Sequence, residues 1–292
     1  TNDKEGVTFA DIGGLHSVID KIQAFQYGIM YPGVYAQFAI NPPKGLMLYG
    51  VPGNGKTMLA KALSNELEAQ FAHVMTTDFV TKWVGEGEAK LESLIVQSEE
   101  YYQKHGIKVI LFIDEADNLM SRRGQGNKSP VFDRCQTVLL RYMDGIDATQ
   151  GIIYVAATNR IDIIDEAVLR PGRFDYVLEI PIPDRRGVLD IMIKQVAFRE
   201  RTAGRTIYHI DNYVSLATRL YQANASGADI AEVLRLGAEM KTREIIEAPE
   251  DEIIDPSFVY VSQSDLEGSL DRYVGERMAL RGSKAAIGFR PG

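Results

Sequence analysis

The chain has 292 residues, 45% of them hydrophobic, which is enough for one large domain or two modest ones. Its 32 basic and 40 acidic residues leave a net charge of -8, which speaks against a nucleic-acid-binding surface. A single cysteine, Cys135, excludes an internal disulfide, and the four scattered histidines have no metal-ligand spacing.

The first forty residues mix short helical patterns with turn signals until Asn41-Pro42-Pro43 breaks them. KGLMLYG (44–50) is an apolar run that ends in glycine, and 57–70 has helical spacing. A second strand is predicted at 71–77, a long amphipathic helix at 88–106 and a third strand at 109–114. That third strand, VILFID, is apolar on both faces, as a parallel sheet requires. A helix near 131–144 and strands at 151–159 and 176–183 complete the pattern. Strands alternating with helices predict an α/β fold with a parallel five-stranded sheet flanked by helices.

After Pro183-Asp184 a period of 3.6 dominates, over 185–198, 211–220, 227–246 and 262–274. The expected organisation is an α/β domain over 1–184, a small all-helical domain over 185–275 and an aperiodic tail over 276–292. No apolar run approaches the roughly 18 residues of a membrane helix, so a cytoplasmic location is expected. The chain begins TNDKEG without methionine, and a longer N-terminus is expected.

The chemistry starts at Gly50-Val51-Pro52-Gly53-Asn54-Gly55-Lys56-Thr57, which matches G-x-x-x-x-G-K-[ST] between a predicted strand and a predicted helix. Such a loop curls its backbone N–H groups around phosphates at a helix N-terminus. Pro52, Gly53, Asn54, Gly55, Lys56, Thr57 and Met58 are the expected nucleotide-binding set. Lys56 would reach the β- and γ-phosphates, and Thr57 would ligate Mg²⁺. The strand 109–114 ends in Asp114, a second candidate for Mg²⁺, and Glu115, a candidate general base for water. Asn159 ends the next apolar strand, where a neutral amide can orient water or simply open a turn. Arg170 and Arg173 flank a Pro-Gly turn. Arginines held this way can stabilise charge on a phosphoryl group, and their spacing leaves open whether they act within the chain or on a neighbour.

Together these motifs resemble the AAA family of ATPases within the AAA+ class, over about 9–274. The pieces that carry the likeness are FADIGGL (9–15), PPKGLMLYGVPGNGKT (42–57), ILFIDEAD (110–117), AATNRIDIIDEAVLRPGRFD (156–175) and SGADIAEVLRLG (226–237). FADIGGL and the RPGR turn are nearest to the branches of valosin-containing protein and the proteasome-associated ATPases. KWVGEGE (82–88) is nearer to the spastin branch, so the subfamily stays open.

The resemblance implies ATP as substrate, Mg²⁺ as cofactor and a homo-hexameric ring. Within that ring, Arg170 and Arg173 reach the next subunit's site. It further implies that Asp11, Ile12 and Gly13 line the adenine pocket and that Gly227 and Ala228 close over the nucleotide. Lys82, Trp83 and Val84 would form a pore loop that grips an unfolded polypeptide, with Gly85 and Gly87 giving its bend. A second pore segment would fall in 121–130, which lacks an aromatic residue. The function implied is an ATP-driven protein remodeller or unfoldase. Two other classes are a DNA-directed loader, disfavoured by the acidic balance, and a nucleotide-dependent scaffold, disfavoured by the complete set of catalytic residues. No HExxH protease motif is present.

Overall fold

The computed structural model describes residues 6–79, 85–122, 130–144, 149–248, 255 and 259–286. The chain divides into two units, Thr1–Ile182 and Pro183–Gly292.

The first unit is built on five parallel strands: β1 (Gly45–Tyr49), β2 (Gln70–Met75), β3 (Val109–Asp114), β4 (Ile152–Thr158) and β5 (Tyr176–Glu179). Their order across the sheet is β2-β3-β4-β1-β5, and every pairing is parallel, as an α/β reading of the sequence expects. The central strands read LMLY, VILFI and IIYVAAT because both of their faces are covered.

One face carries Met47, Leu111, Ile113, Tyr154 and Ala156. They pack with Leu91 and Ile95 of α4 (Glu86–His105), Leu119 of α5 (Ala116–Met120) and Leu139 and Met143 of α6 (Pro130–Met143). The alternating positions, among them Leu48, Ile110, Phe112 and Val155, are equally buried on the other face. There α3 (Lys56–Glu66) packs on β3 and β4, and α1 (His16–Met30) packs on β5. Phe25 of α1 meets the Tyr176 ring edge-on at 5.4 Å. A short helix, α2 (Pro32–Gln37), follows α1.

Crowding sets one residue of β1. A β-carbon on Gly45 would lie 2.4 Å from the Arg173 carbonyl oxygen, so the strand passes the arginine turn at a distance only glycine permits.

The second unit holds α7 (Arg185–Ala203), α8 (Tyr213–Gln222), α9 (Gly227–Ile246) and α10 (Gln263–Ala286). A two-residue parallel pair, β6 (Tyr208–His209) with β7 (Val261–Ser262), is added to them. Each helix start is written in polar residues. Asp184 accepts the Gly187 N–H at 2.7 Å and Asn212 accepts that of Ser215 at 2.9 Å. Ser226 with Asp229, and Ser262 with Asp265, bond reciprocally.

The tail differs from the aperiodic expectation, since α10 continues to Ala286. Its stretch ERMALRGSKAA is rich in helix formers, so a helix already docked through Leu266 and Leu270 propagates without an apolar stripe of its own.

Gly45→Ala is expected to cost about 2 kcal/mol of unfolding free energy in urea titration, because the atoms in the way are backbone. Gly6→Ala, with nothing within 4 Å of the added carbon, is the matched control and should be near neutral.

Candidate active site

The site forms where β3, β4 and β1 lie side by side and end together. The register pairs Met75 with Asp114, and Tyr49 with Thr158. The loop after β1, the carboxylates after β3 and the amide after β4 therefore share the carboxyl edge of the sheet. β1 lies against β4 and β5, so the chain leaves it for the far edge at β2, and open sheets bind ligands at such crossovers.

The loop turns through Gly50, Gly53 and Gly55 at φ of 147°, 82° and 89°. Gly50 has a second reason to be glycine, as a β-carbon would meet the Ile180 carbonyl oxygen at 2.3 Å. At Gly55 the added carbon meets nothing within 4 Å, so the backbone faces clear space at the start of α3.

A cavity of about 560 Å³ opens there, lined by Pro52, Gly53, Gly55, Lys56, Thr57, Met58, Asp114, Glu115 and Asn159. His73, Met75 and Thr76 complete the lining, and nothing in their sequence pattern singled them out. Asn54 is buried instead of lining the cavity. Its amide donates to the Pro181 carbonyl at 3.2 Å, bracing the loop against the end of β5.

Lys56 is buried, and its ammonium donates to the Gly50 carbonyl at 2.8 Å, the Val51 carbonyl at 3.0 Å and Asn159 Oδ1 at 2.8 Å. Three protons meet three acceptors. Burial lowers its pKa, against the opposing pull of Asp114 and Asp117. Because Oδ1 of Asn159 is taken by Lys56, its Nδ2 is the end left to donate elsewhere.

Beyond Asp114 the backbone turns through Glu115 in the left-handed region, at φ 48° and ψ 46°. Asp114 Oδ1 accepts the Glu115 N–H at 2.9 Å, and the Asn118 N–H reaches the Glu115 carbonyl at 3.0 Å. Two further side chains of α5, which sequence reasoning missed, tie this turn to its neighbours. Asp117 accepts from Thr158 Oγ1 at 2.8 Å. Asn118 Nδ2 donates to Thr76 Oγ1 at 3.2 Å and to Glu115 Oε2 at 3.4 Å. His73 Nε2 lies 3.8 Å from Asp114 Oδ2. The i, i+3 spacing of Glu115 and Asn118 was the one signal available in the sequence.

A nucleoside triphosphate fits this donor set, with loop N–H groups, a helix N-terminus and Lys56 facing one space. Mg²⁺ fits too. The Thr57 hydroxyl and the Asp114 carboxylate are hard oxygen donors on the same cavity. No cluster of three or more His, Cys, Asp or Glu suited to a metal exists among the described residues. Mg²⁺ commonly takes one or two protein oxygens and completes its shell from phosphates and water.

Asp11 and Ile12 are buried, and the turn Phe9–Asp11 packs on α3, with the Asp11 carboxylate accepting from the Thr8 N–H at 2.8 Å. Neither they nor Gly13 line the cavity described. Gly227 and Ala228 form the first turn of α9, where Gln195 donates to the Gly227 carbonyl at 2.9 Å.

Arg170 is exposed and without a hydrogen bond or ion pair from its side chain among the described residues. Arg173 is engaged within its own unit. Its Nε donates to Asp144 Oδ2 at 2.6 Å, and an Nη donates to the Ala167 carbonyl.

Lys82, Trp83 and Val84 lie outside the described residues, as do 123–129 of the second expected pore segment. Gly85 is the left-handed N-cap of α4, at φ 94°. Gly87 sits inside the helix and is not part of a loop bend as expected. A β-carbon on it would meet the Phe79 carbonyl at 2.5 Å, so close packing and not flexibility requires glycine there.

Residues 46–182 match the family described as "ATPase family associated with various cellular activities (AAA)". The chain carries an AAA ATPase domain. A domain of this family hydrolyses ATP with Mg²⁺.

The chain is 39% identical over 231 residues to the proteasome-activating nucleotidase of Archaeoglobus fulgidus, covering 78% of this chain and 55% of that protein. It is 36% identical over 241 residues to the cell division cycle protein 48 homolog of the same organism, covering 82% of this chain and 31% of that protein. A Micrococcus luteus AAA ATPase forming ring-shaped complexes is 40% identical over 199 residues, covering 65% and 34%. The chain thus spans from about a third to just over half the length of these relatives.

The two arginines of the AAA domain should separate in stability. Arg173→Ala is expected to lose about 1–3 kcal/mol in chemical denaturation, since it strands Asp144 and the Ala167 carbonyl. Arg170→Ala should stay within about 0.5 kcal/mol of the parent.

Proposed function

We propose that this chain is the motor part of an ATP-driven protein remodeller that works as a ring, most simply a homo-hexamer. In it, each subunit's site is completed by the next subunit. The observation that carries the reading is a division of cations within one unit. The cavity holds Lys56, Asn159, Asp114 and Glu115 and no arginine, while Arg170 stands exposed and unpaired among the described residues. Phosphoryl transfer to water gains about 10³–10⁵ in rate from such a finger, so a partner copy would supply what the cavity lacks. A relative that forms ring-shaped complexes supports the assembly.

In this reading the γ-phosphorus is attacked by water, whose proton passes to the Glu115 carboxylate as the bond to the bridging oxygen breaks. Lys56 and the loop N–H groups hold the phosphate oxygens, and Asn159 Nδ2 orients the water. Thr57 and Asp114 would hold Mg²⁺, which would supply positive charge beside the phosphate oxygens. Arg170 is the finger, and Arg173 stiffens the turn that displays it. Asp11, Ile12 and Gly13 bind the adenine.

The work is done on a polypeptide gripped by Lys82, Trp83 and Val84, where an aromatic side chain contacts any extended segment through apolar area. No helix among the described residues is long and apolar enough to cross a membrane.

Mixing Arg170→Ala subunits with Glu115→Gln subunits tests the shared site. Each alone should be nearly inactive in ATP turnover. Mixed rings should recover part of the parent rate, because an intact base then meets an intact arginine. No recovery at any ratio, with mixed rings verified by mass, would sink the reading. The grip is tested with an unfolded protein such as casein, which should raise turnover of the parent and not of Trp83→Ala. An equal response from both would remove Trp83 from the substrate path.

A further inference from the structure

We infer that Asn118 is a positioning residue for ATP hydrolysis, fixing the Glu115 carboxylate by anchoring it to Thr76. The inference rests on the reading of Glu115 as the base.

Glu115 is held firmly through its main chain and loosely through its side chain. Its N–H is bonded to Asp114 and its carbonyl to the Asn118 N–H. The residue lies in the left-handed region at φ 48°, a conformation that is unfavourable for a non-glycine residue and persists only where its surroundings impose it. The strained turn aims the carboxylate at the cavity, yet that carboxylate is exposed. Among the described residues, the Asn118 amide is the one side chain that hydrogen-bonds it.

The amide nitrogen carries two N–H groups, enough for both of its partners. Asn118 Nδ2 donates to Thr76 Oγ1 at 3.2 Å and to Glu115 Oε2 at 3.4 Å. Thr76 is only 2% exposed at the end of β2, on the far side of β3, so it is a fixed point. The amide carries that fixity to the carboxylate. With Oε2 occupied, Oε1 is the oxygen left to take the proton from water. The 3.4 Å contact is long, as catalytic hydrogen bonds often are before substrate fills a site.

Two substitutions separate positioning from support. Asn118→Asp can still accept a hydrogen bond from the Thr76 hydroxyl, but it cannot donate to Glu115 and places a like charge beside it. Asn118→Leu keeps the approximate shape and loses both bonds. Both are expected to lower kcat about tenfold, the scale of a misplaced catalytic group, with KM for ATP and the melting temperature near the parent values. In a Glu115→Gln background, Asn118→Asp should lower the residual turnover no further, because the amide acts through the carboxylate.

A parent-like kcat in either variant overturns the inference. So does an equal fractional loss with and without Glu115, or a loss of kcat that tracks melting temperature. Should Asn118→Asp fail to fold, Asn118→Leu carries the same comparison. If Glu115→Gln itself keeps parental turnover, Glu115 is not the base and the underlying reading fails. If that variant is dead while both Asn118 variants are active, only the role of Asn118 falls.

Discussion

A buried ammonium holds the functional half of this chain in register. Lys56 sits on the first turn of α3, and its three protons reach two carbonyls of its own loop and the amide oxygen that ends β4. A charge taken out of water must be met in full, or burying it costs more than the fold can offset. Here it is met by atoms from the turns that follow the two adjacent strands β1 and β4. The phosphate loop and Asn159 are therefore set relative to each other by one side chain. In the proposed reaction, a phosphate arriving in the cavity would compete for the Lys56 protons that the loop carbonyls accept, and so would couple its binding to the shape of the loop and to the orientation of Asn159.

The same economy governs the rest of the edge. The strand register brings Asp114 level with Met75, and Thr158 level with Tyr49. A slip of one residue would turn every one of these side chains to the other face. Short polar bonds then lock the strand ends laterally: Thr158 to Asp117, Asn118 to Thr76, and Asn54 to Pro181. The carboxyl edge is thus a line of cross-linked turns, on which Lys56 is fully bonded and the Glu115 carboxylate is held by one long hydrogen bond.

What could be read in advance follows from what leaves a pattern. The parallel sheet was legible because strands buried on both faces must be continuously apolar, as VILFI and IIYVAAT are. Gly50, Gly55 and Lys56 were legible because a phosphate loop needs left-handed backbone and one cation at fixed spacing. The helix α5 and the bonds of Thr76, Asp117 and Asn118 were not. They depend on which strand ends become neighbours, and a strand order of β2-β3-β4-β1-β5 has no local signature. Gly87 misled for a related reason. Glycine serves a bend and a close approach equally well, and only the packed Phe79 carbonyl tells them apart. The helical continuation of α10 to Ala286 escaped because periodicity reports burial, whereas a helix can extend beyond its docked part on propensity alone.

The arginine turn shows how far spacing can go and where it stops. Arg170 and Arg173 are equivalent in the sequence, two cations flanking Pro171-Gly172. In the fold they are opposites. Asp175 accepts the Gly172 N–H at 2.7 Å and the Lys44 N–H at 3.0 Å, binding the turn to the chain that enters β1. Arg173 then crosses to Asp144 beyond α6 and caps the Ala167 carbonyl. To act on another molecule, Arg173 would have to abandon charged and neutral partners together, each bond contributing about 0.5–3 kcal/mol. Arg170 gives up nothing but water. A rigid turn with one committed arginine and one free one is a holder and a tip. In the proposed ring, the bonds that stiffen the holder would spare the turn's backbone an ordering cost when Arg170 meets a phosphate, leaving only that of its own side chain.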